Sequence, residues 1–285
     1  MERRTLGRTG ERLSVVGFGG IVVMRETAED AARFVAEAVD RGINYFDVAP
    51  TYGDAEERLG PALEPFRGDV FLACKTIKRD ATSARDELEQ SLRRLRTDHV
   101  DLYQLHGIAT EEEVDRVLAP GGALEAFVEA RRKGQVRYLG FSAHAEAPAC
   151  RLLEAFDFDT VMFPVNFVTW LAGGFGPRIM ESAHATDTAV LALKALARTE
   201  REDRRSRTTW PKCWYHPIDD AEEASLALRF TLSRPVTAAV SPSHAELLWL
   251  MCDAAADLRP PSAEELHRLD TLAAARTPIF RTETP

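Results

Sequence analysis

Cysteine is scarce in this chain. Cys74, Cys150, Cys213 and Cys252 are the only four in 285 residues, and no two stand at metal-ligand spacing. That excludes a zinc or iron–sulfur site of the usual kind, so no metal is expected, and the scatter fits a reduced, cytoplasmic setting better than a disulfide framework. Positive charge is also in deficit, with 36 Lys and Arg against 45 Asp and Glu and a net charge of -9. Such a surface exerts no pull on nucleic acid or anionic membranes, so neither is expected as a partner, and an anionic cofactor would need local cations. Long apolar runs are missing too. No stretch of signal length follows Met1-Glu2-Arg3-Arg4, and none approaches a membrane span, so the expectation is a soluble intracellular protein. A Gly-x-Gly-x-x-Gly turn after the first apolar strand is absent, which disfavours a doubly wound dinucleotide fold.

What is present is an ordinary globular composition, 45% hydrophobic and 28% charged, enough for one α/β domain over residues 1–285. Gly7 and Thr9-Gly10, between Arg4 and Leu13, predict a small hairpin. Ser14 to Gly20 is a first apolar strand that ends in glycines, where another group can approach the backbone closely. Thr27 with Asp30 three on resembles a capping box, and Ala31, Phe34, Val35, Ala38 and Val39 follow at helical spacing until Gly42. Short apolar strands and helical periodicities then alternate, with helices expected over 55–63, 83–95, 124–133, 148–156, 177–184, 219–233 and 244–255. Ser262-Ala263-Glu264-Glu265 caps one more helix. Alternation without interruption predicts a (β/α)8 TIM barrel with an N-terminal β-hairpin and an extra C-terminal helix.

The stretch from Asn44 to Gly53 reads as a buried strand through Tyr45, Phe46 and Val48 that breaks at Pro50 and Gly53. Asp47 is thereby left at the carboxyl end of the strand and Tyr52 in the loop above it. Val70 to Cys74 runs into Lys75 in the same way, and Val100 to Leu105 runs into His106. Barrel enzymes carry their active sites at these strand ends. A tyrosine is a weak acid, with an ordinary pKa of about 10. A lysine ammonium beside it stabilises the phenolate, an aspartate keeps that lysine charged, and a histidine can orient a carbonyl oxygen. Together they make a proton donor aimed at a carbonyl, lacking only a hydride source, which no side chain provides. Each residue alone has a blander reading: a self-satisfying ion pair, a hydrogen-bonded histidine, a tyrosine packing a turn.

The chain resembles the aldo-keto reductase superfamily over nearly its whole length. The resemblance lies in Arg4-Thr5-Leu6-Gly7-Arg8-Thr9-Gly10, Gly42 to Asp47, Tyr52-Gly53, Lys75, Leu105-His106 and Gly140-Phe141-Ser142. It implies reduction of an aldehyde or ketone, or oxidation of the alcohol, by hydride transfer with NADPH (NADH possible). In that scheme Tyr52 is the general acid, Lys75 and Asp47 tune it, and His106 orients a small-molecule carbonyl substrate. Gly19, Ser142, Asn166, Lys194, Ser241, Ser243 and His244 are the expected cofactor contacts. The family's carboxamide-binding Asn and Gln positions hold Ala143 and Met162 here, its ring-stacking position holds Leu193, and no Lys or Arg follows the eighth strand until Arg259. Serines and backbone N–H groups at the next helix can still hold a phosphate.

Val22, Met24, Trp170, Trp210 and Trp214 are the expected substrate contacts. The segment from Gly107 to Gly122 is expected to overhang the pocket, as are the residues around Phe167 and Trp170. The loop from Ala197 to Pro217 is expected to close over bound cofactor, with Arg198, Arg204 and Arg205 meeting its phosphate. Two further readings stand beside the enzyme: a cofactor-binding regulatory subunit, and a barrel repurposed for non-redox chemistry. Oligomeric state has no signature in the sequence.

Overall fold

The computed structural model describes residues 1–203 and 209–282. The chain opens with an antiparallel hairpin, β1 (Arg3–Thr5) and β2 (Arg12–Ser14), with Arg4 opposite Leu13. Gly10, at φ 77°, supplies the left-handed turn residue. Then come β3 (Val16–Gly19), α1 (Ala28–Asp40), β4 (Tyr45–Asp47), α2 (Ala55–Leu63), β5 (Phe71–Thr76), α3 (Ala81–Leu95) and β6 (Val100–Ile108). α4 (Glu111–Leu118), α5 (Ala123–Arg132), β7 (Val136–Ala143), α6 (Glu146–Ala155), β8 (Thr160–Pro164), α7 (Phe167–Leu171) and α8 (Pro177–Ala185) follow. β9 (Ala189–Leu193), β10 (Ala197–Thr199), β11 (His216–Pro217), α9 (Ala221–Leu232), β12 (Ala238–Val240), α10 (Ala245–Ala254) and α11 (Ala263–Ala274) complete the order.

Among the described residues, eight parallel strands close a barrel in the order β12-β3-β4-β5-β6-β7-β8-β9. This is the (β/α)8 architecture expected from the alternation, with its hairpin and its additional last helix. The strands' period of two sorts residues between two cores. Tyr45, Phe71, Ala73, Leu102, Met162, Leu191 and Ala238 fill the barrel interior, where Leu6 and Leu13 of the hairpin region pack against them. Phe46, Leu72, Cys74, Tyr103 and Leu105, the intervening residues, face the helices. The hairpin therefore plugs one end of the barrel and leaves the other, where the strands point their carboxyl ends, for a site.

Local signals set the helix starts. Thr27 Oγ1 accepts the Asp30 N–H at 3.0 Å, and Asp80 caps α3 through the Ser83 N–H at 2.9 Å. Thr110 with Glu113, and Ser262 with Glu265, form reciprocal capping boxes for α4 and α11. α2 packs on α3 at a glycine contact, since a Cβ on Gly60 would lie 2.3 Å from the Arg94 carbonyl oxygen.

Two expected overhangs turn out to be partly helical. The segment 107–122 contains α4, announced by the Thr110-x-x-Glu113 box and the apolar Val114 and Val117 that bury on one face. Asn166 starts α7 within the other. Inside the long loop, β10 and β11 pair as a short antiparallel ladder at the loop's two ends. No helix among the described residues is long and apolar enough to cross a membrane.

Candidate active site

The interior-facing parity of β4, β5 and β6 brings Asp47, Lys75, Gln104 and His106 onto the wall at the open end of the barrel. Asp47 and Lys75 are both 1% exposed and form a direct ion pair. Asp47 Oδ1 accepts a hydrogen bond from Gln104 Nε2 at 3.0 Å, so both carboxylate oxygens are held. Burial pushes the Asp47 carboxyl up from its ordinary value, while the Lys75 ammonium and the Gln104 amide pull against it. Burial also opposes the Lys75 charge, but Asp47 and Tyr52 outweigh it and raise the Lys75 pKa. Lys75 is thus a fixed cation beneath the site. Cys74, one residue earlier, faces outwards and points its Sγ at Glu56 Oε1, 3.4 Å away.

Tyr52 comes from the loop after β4, fixed by its N–H to the Ala49 carbonyl at 3.0 Å. Lys75 Nζ lies 5.3 Å from the centre of its ring. Burial raises the Tyr52 pKa, Lys75 lowers it, and Asp47 adds to the rise, with a net upward shift. The phenol is therefore protonated at neutral pH, the form an acid catalyst needs. The His106 pKa is pulled down to about 2, first by burial and then by Lys75, His144, Lys194 and Arg79. His106 is accordingly a neutral imidazole. Its Nδ1 lies 3.4 Å from Thr51 Oγ1, and when that hydroxyl donates, Nε2 carries the ring proton.

These groups meet at a cavity of about 210 Å³. Gly19 and Ile21 line one side, Leu193 and Lys194 another, and Ser241, Pro242 and Ser243 a third. Lys212, Trp214 and Tyr215 reach in from the long loop. A hollow of about 360 Å³ lies by the hairpin, at the opposite end from these residues, and gathers no comparable set of groups.

The sequence model of the Aldo/keto reductase family matches residues 16–212, which include Asp47, Tyr52, Lys75, Gln104 and His106. The chain belongs to the aldo/keto reductase family. It is 36% identical over 157 residues to an uncharacterized oxidoreductase, YqkF, of Bacillus subtilis, covering 50% of this chain and 49% of that protein. It is 32% identical over 157 residues to L-galactose dehydrogenase of Arabidopsis thaliana, covering 50% of this chain and 48% of that one. The chain thus spans about half the length of these curated relatives. In fold it is similar to the holo form of an aldo-keto reductase, AKR11C1, of Bacillus halodurans, with a TM-score of 0.76 at 24% identity over 99% of this chain and 100% of that one.

Within this aldo/keto reductase, the expected cofactor residues Gly19, Lys194, Ser241 and Ser243 line the cavity, while Ser142 and His244 stand behind its lining. Gly19 packs so closely on the β12 end that a Cβ there would lie 2.9 Å from the Ser241 carbonyl oxygen, and its N–H donates to Ser241 Oγ at 3.1 Å. His244 precedes α10 without capping it by its side chain, which leaves the first-turn N–H groups free of that partner. Its Nε2 instead accepts the Lys212 N–H at 3.2 Å. Ser142 faces the interior and its Oγ accepts the Gly107 N–H at 2.8 Å.

Other expected residues lie off the cavity wall. Asn166 is fully buried and spent on capping α7, with Oδ1 taking the Thr169 N–H at 2.9 Å and Nδ2 donating to Thr169 Oγ1 at 3.1 Å. Val22 is buried in the outer core, and Met24 packs on that core as well. Trp170 lies under the Arg234 guanidinium, 5.3 Å from its ring centre, on the outside of the barrel. Trp210 donates to Asp219 Oδ2 at 3.1 Å and meets His244 edge-on. Of the substrate contacts expected from sequence, Trp214 alone lines the cavity. Arg198 is engaged by Asp219 and Glu223 at 3.2 and 3.6 Å, and Arg204 and Arg205 lie outside the described residues.

Sequence reasoning passed over Gln104 and His144, and took Lys212 and Tyr215 only as part of the long loop. Gln104 stands two before His106 on one strand, a spacing that places both on the same face. His144 follows Ser142 with the same parity, directly after β7. Lys212 and Tyr215 carried no comparable signal, because the loop's path over the barrel mouth fixes their position.

Proposed function

We propose that this protein is a nicotinamide-dependent carbonyl oxidoreductase, reducing an aldehyde or ketone with NADPH or running the reverse reaction, in which Tyr52 delivers the proton. The observation that carries this reading is the buried Asp47–Lys75 pair set beneath a protonated Tyr52, with a neutral His106 beside it. A carbonyl oxygen taking a hydrogen bond from His106 Nε2 would lie beside the Tyr52 hydroxyl. As negative charge develops on that oxygen, Tyr52 gives up its proton, and Lys75 stabilises the phenolate that is left. Asp47, held by Gln104, keeps Lys75 charged throughout. The dry setting strengthens each of these interactions.

The residues present fit a nicotinamide cofactor in part. Ser241, Ser243 and the first turn of α10, which the His244 side chain does not cap, offer donors to a phosphate, and the close approach of Gly19 to Ser241 keeps the backbone narrow there. The amide end has fewer partners, since Ala143 and Met162 are apolar and fully buried. When bound, the cofactor supplies the hydride. A preference for NADPH over NADH rests on family resemblance. Titration of the protein with NADPH and NADH by fluorescence, followed by a panel of aldehydes and ketones, tests the proposal. Oxidation of cofactor that depends on a carbonyl supports it, whereas tight binding with no turnover on any carbonyl favours the regulatory-subunit reading.

A further inference from the structure

The lysines on the cavity wall differ in one respect. Lys75 is paired with Asp47, and Lys212 with Glu26. The Lys194 ammonium has no hydrogen-bond acceptor and no carboxylate among the described residues. It rests instead against two aromatic rings, 5.3 Å from the centre of Trp214 and 6.0 Å from that of Tyr215. Aromatic faces stabilise a cation without occupying its three N–H donors. A half-buried cation with unused donors gains when an anionic partner arrives.

The backbone at this position is unusual as well. Lys194 directly follows β9 with φ 61°, in the left-handed region that a residue with a Cβ enters only against steric resistance. Such conformations persist where the surrounding structure imposes them, and they gather at ligand sites. Here the kink carries the side chain into the cavity. The charge also lies on the catalytic side, because Lys194 is among the groups that depress both His106 and His144. The titratable groups that interact with it are Lys75, His106, His144 and Cys213, and none of them is an anion at neutral pH.

We infer that the carbonyl substrate carries a carboxylate, and that Lys194 holds this group while His106 and Tyr52 engage the carbonyl. This assignment rests on the carbonyl-reductase reading. Lys194 is then a specificity-determining residue that selects oxo-acids over neutral carbonyls, with Trp214 and Tyr215 forming the apolar sides of the carboxylate's seat. A cofactor phosphate has the same anionic chemistry, so the test must separate the two sources.

Two matched pairs of probes do so: 4-formylbenzoate with its methyl ester, and 4-oxobutanoate with butanal. The parent protein should turn over at least one acid with kcat/KM about tenfold or more above its neutral partner. In Lys194→Met that preference should fall by about tenfold or more, mainly through KM, with NADPH affinity by fluorescence close to the parent's. Lys194→Asn, which tolerates the left-handed backbone, should behave alike and guards against misfolding of the first variant. Absence of an acid preference in both pairs, an equal loss on acid and neutral substrates, or a fall in NADPH affinity with the preference retained would overturn the assignment. Should the parent reduce neither member of either pair, the reductase reading fails on these probes. Calorimetric binding of 4-formylbenzoate to parent and Lys194→Met then decides the Lys194 assignment, and unchanged binding would overturn it.

Discussion

The rings of Tyr52 and His106 meet edge to face, with centroids 5.8 Å apart and planes at 89°. One residue comes from the loop after β4 and the other from the end of β6, so the contact exists only once β4, β5 and β6 lie side by side. Their ionisation states are complementary. Burial holds the phenol protonated and the imidazole neutral, which leaves a single acid beside a hydrogen-bond donor.

Tyr52→Phe keeps the ring and its packing and removes the acidic proton. Carbonyl reduction should fall by roughly 10²–10⁴-fold, with fold and cofactor affinity nearly unchanged. Steady-state kinetics beside a cofactor titration check this. Retention of more than about a tenth of the rate would point to another proton donor.

Gln104→Leu leaves Asp47 Oδ1 without the amide that now lowers the carboxyl pKa. The rate should fall by about tenfold, since a hydrogen bond to a charged group contributes about 1.5–3 kcal/mol. The acid limb of the kcat profile should also move to higher pH, because Asp47 becomes easier to protonate. An unchanged pH profile would reduce Gln104 to a packing residue.

His106 should make the protein sensitive to acid. Its pKa is about 2 in the fold against 6.5 for an ordinary histidine, so between these values the unfolded chain binds the extra proton. The His106 contribution is fully present above pH 6.5 and is lost as pH falls towards 2. His144, lowered to about 4, acts in the same direction. Urea midpoints measured from pH 7 down to pH 4 should drop less steeply in His106→Asn than in the parent. Parallel slopes would show that His106 does not carry the effect.

Gly60→Ala should destabilise the protein by about 1–3 kcal/mol, because the new methyl meets the backbone of α3 rather than a side chain that could move. Thermal denaturation reads this directly. A stability equal to the parent's would mean that α2 and α3 separate without loss.

By itself the sequence determined the barrel, because period-two strands and capped, amphipathic helices are local signals. Thr27 and Ser262 announce helices within a few residues, and Asp47, Lys75 and His106 declare themselves where apolar strands end. Some readings went astray where a local signal admits two uses. Asn166 at a strand end suits a ligand contact or a helix cap, and only the presence of Thr169 within reach of its side chain makes it the cap. The Thr110–Glu113 box was legible, yet the expectation of an overhang hid α4. Tertiary structure alone decided which side chains share the cavity. Lys194 is expected as a cofactor contact from the family resemblance, but only the kink after β9 and the path of the long loop set it against Trp214 and Tyr215. The physical reason is that side-chain direction along a strand repeats every two residues and can be counted. The path of a loop depends instead on everything it packs against, as where Lys212 reaches across to Glu26.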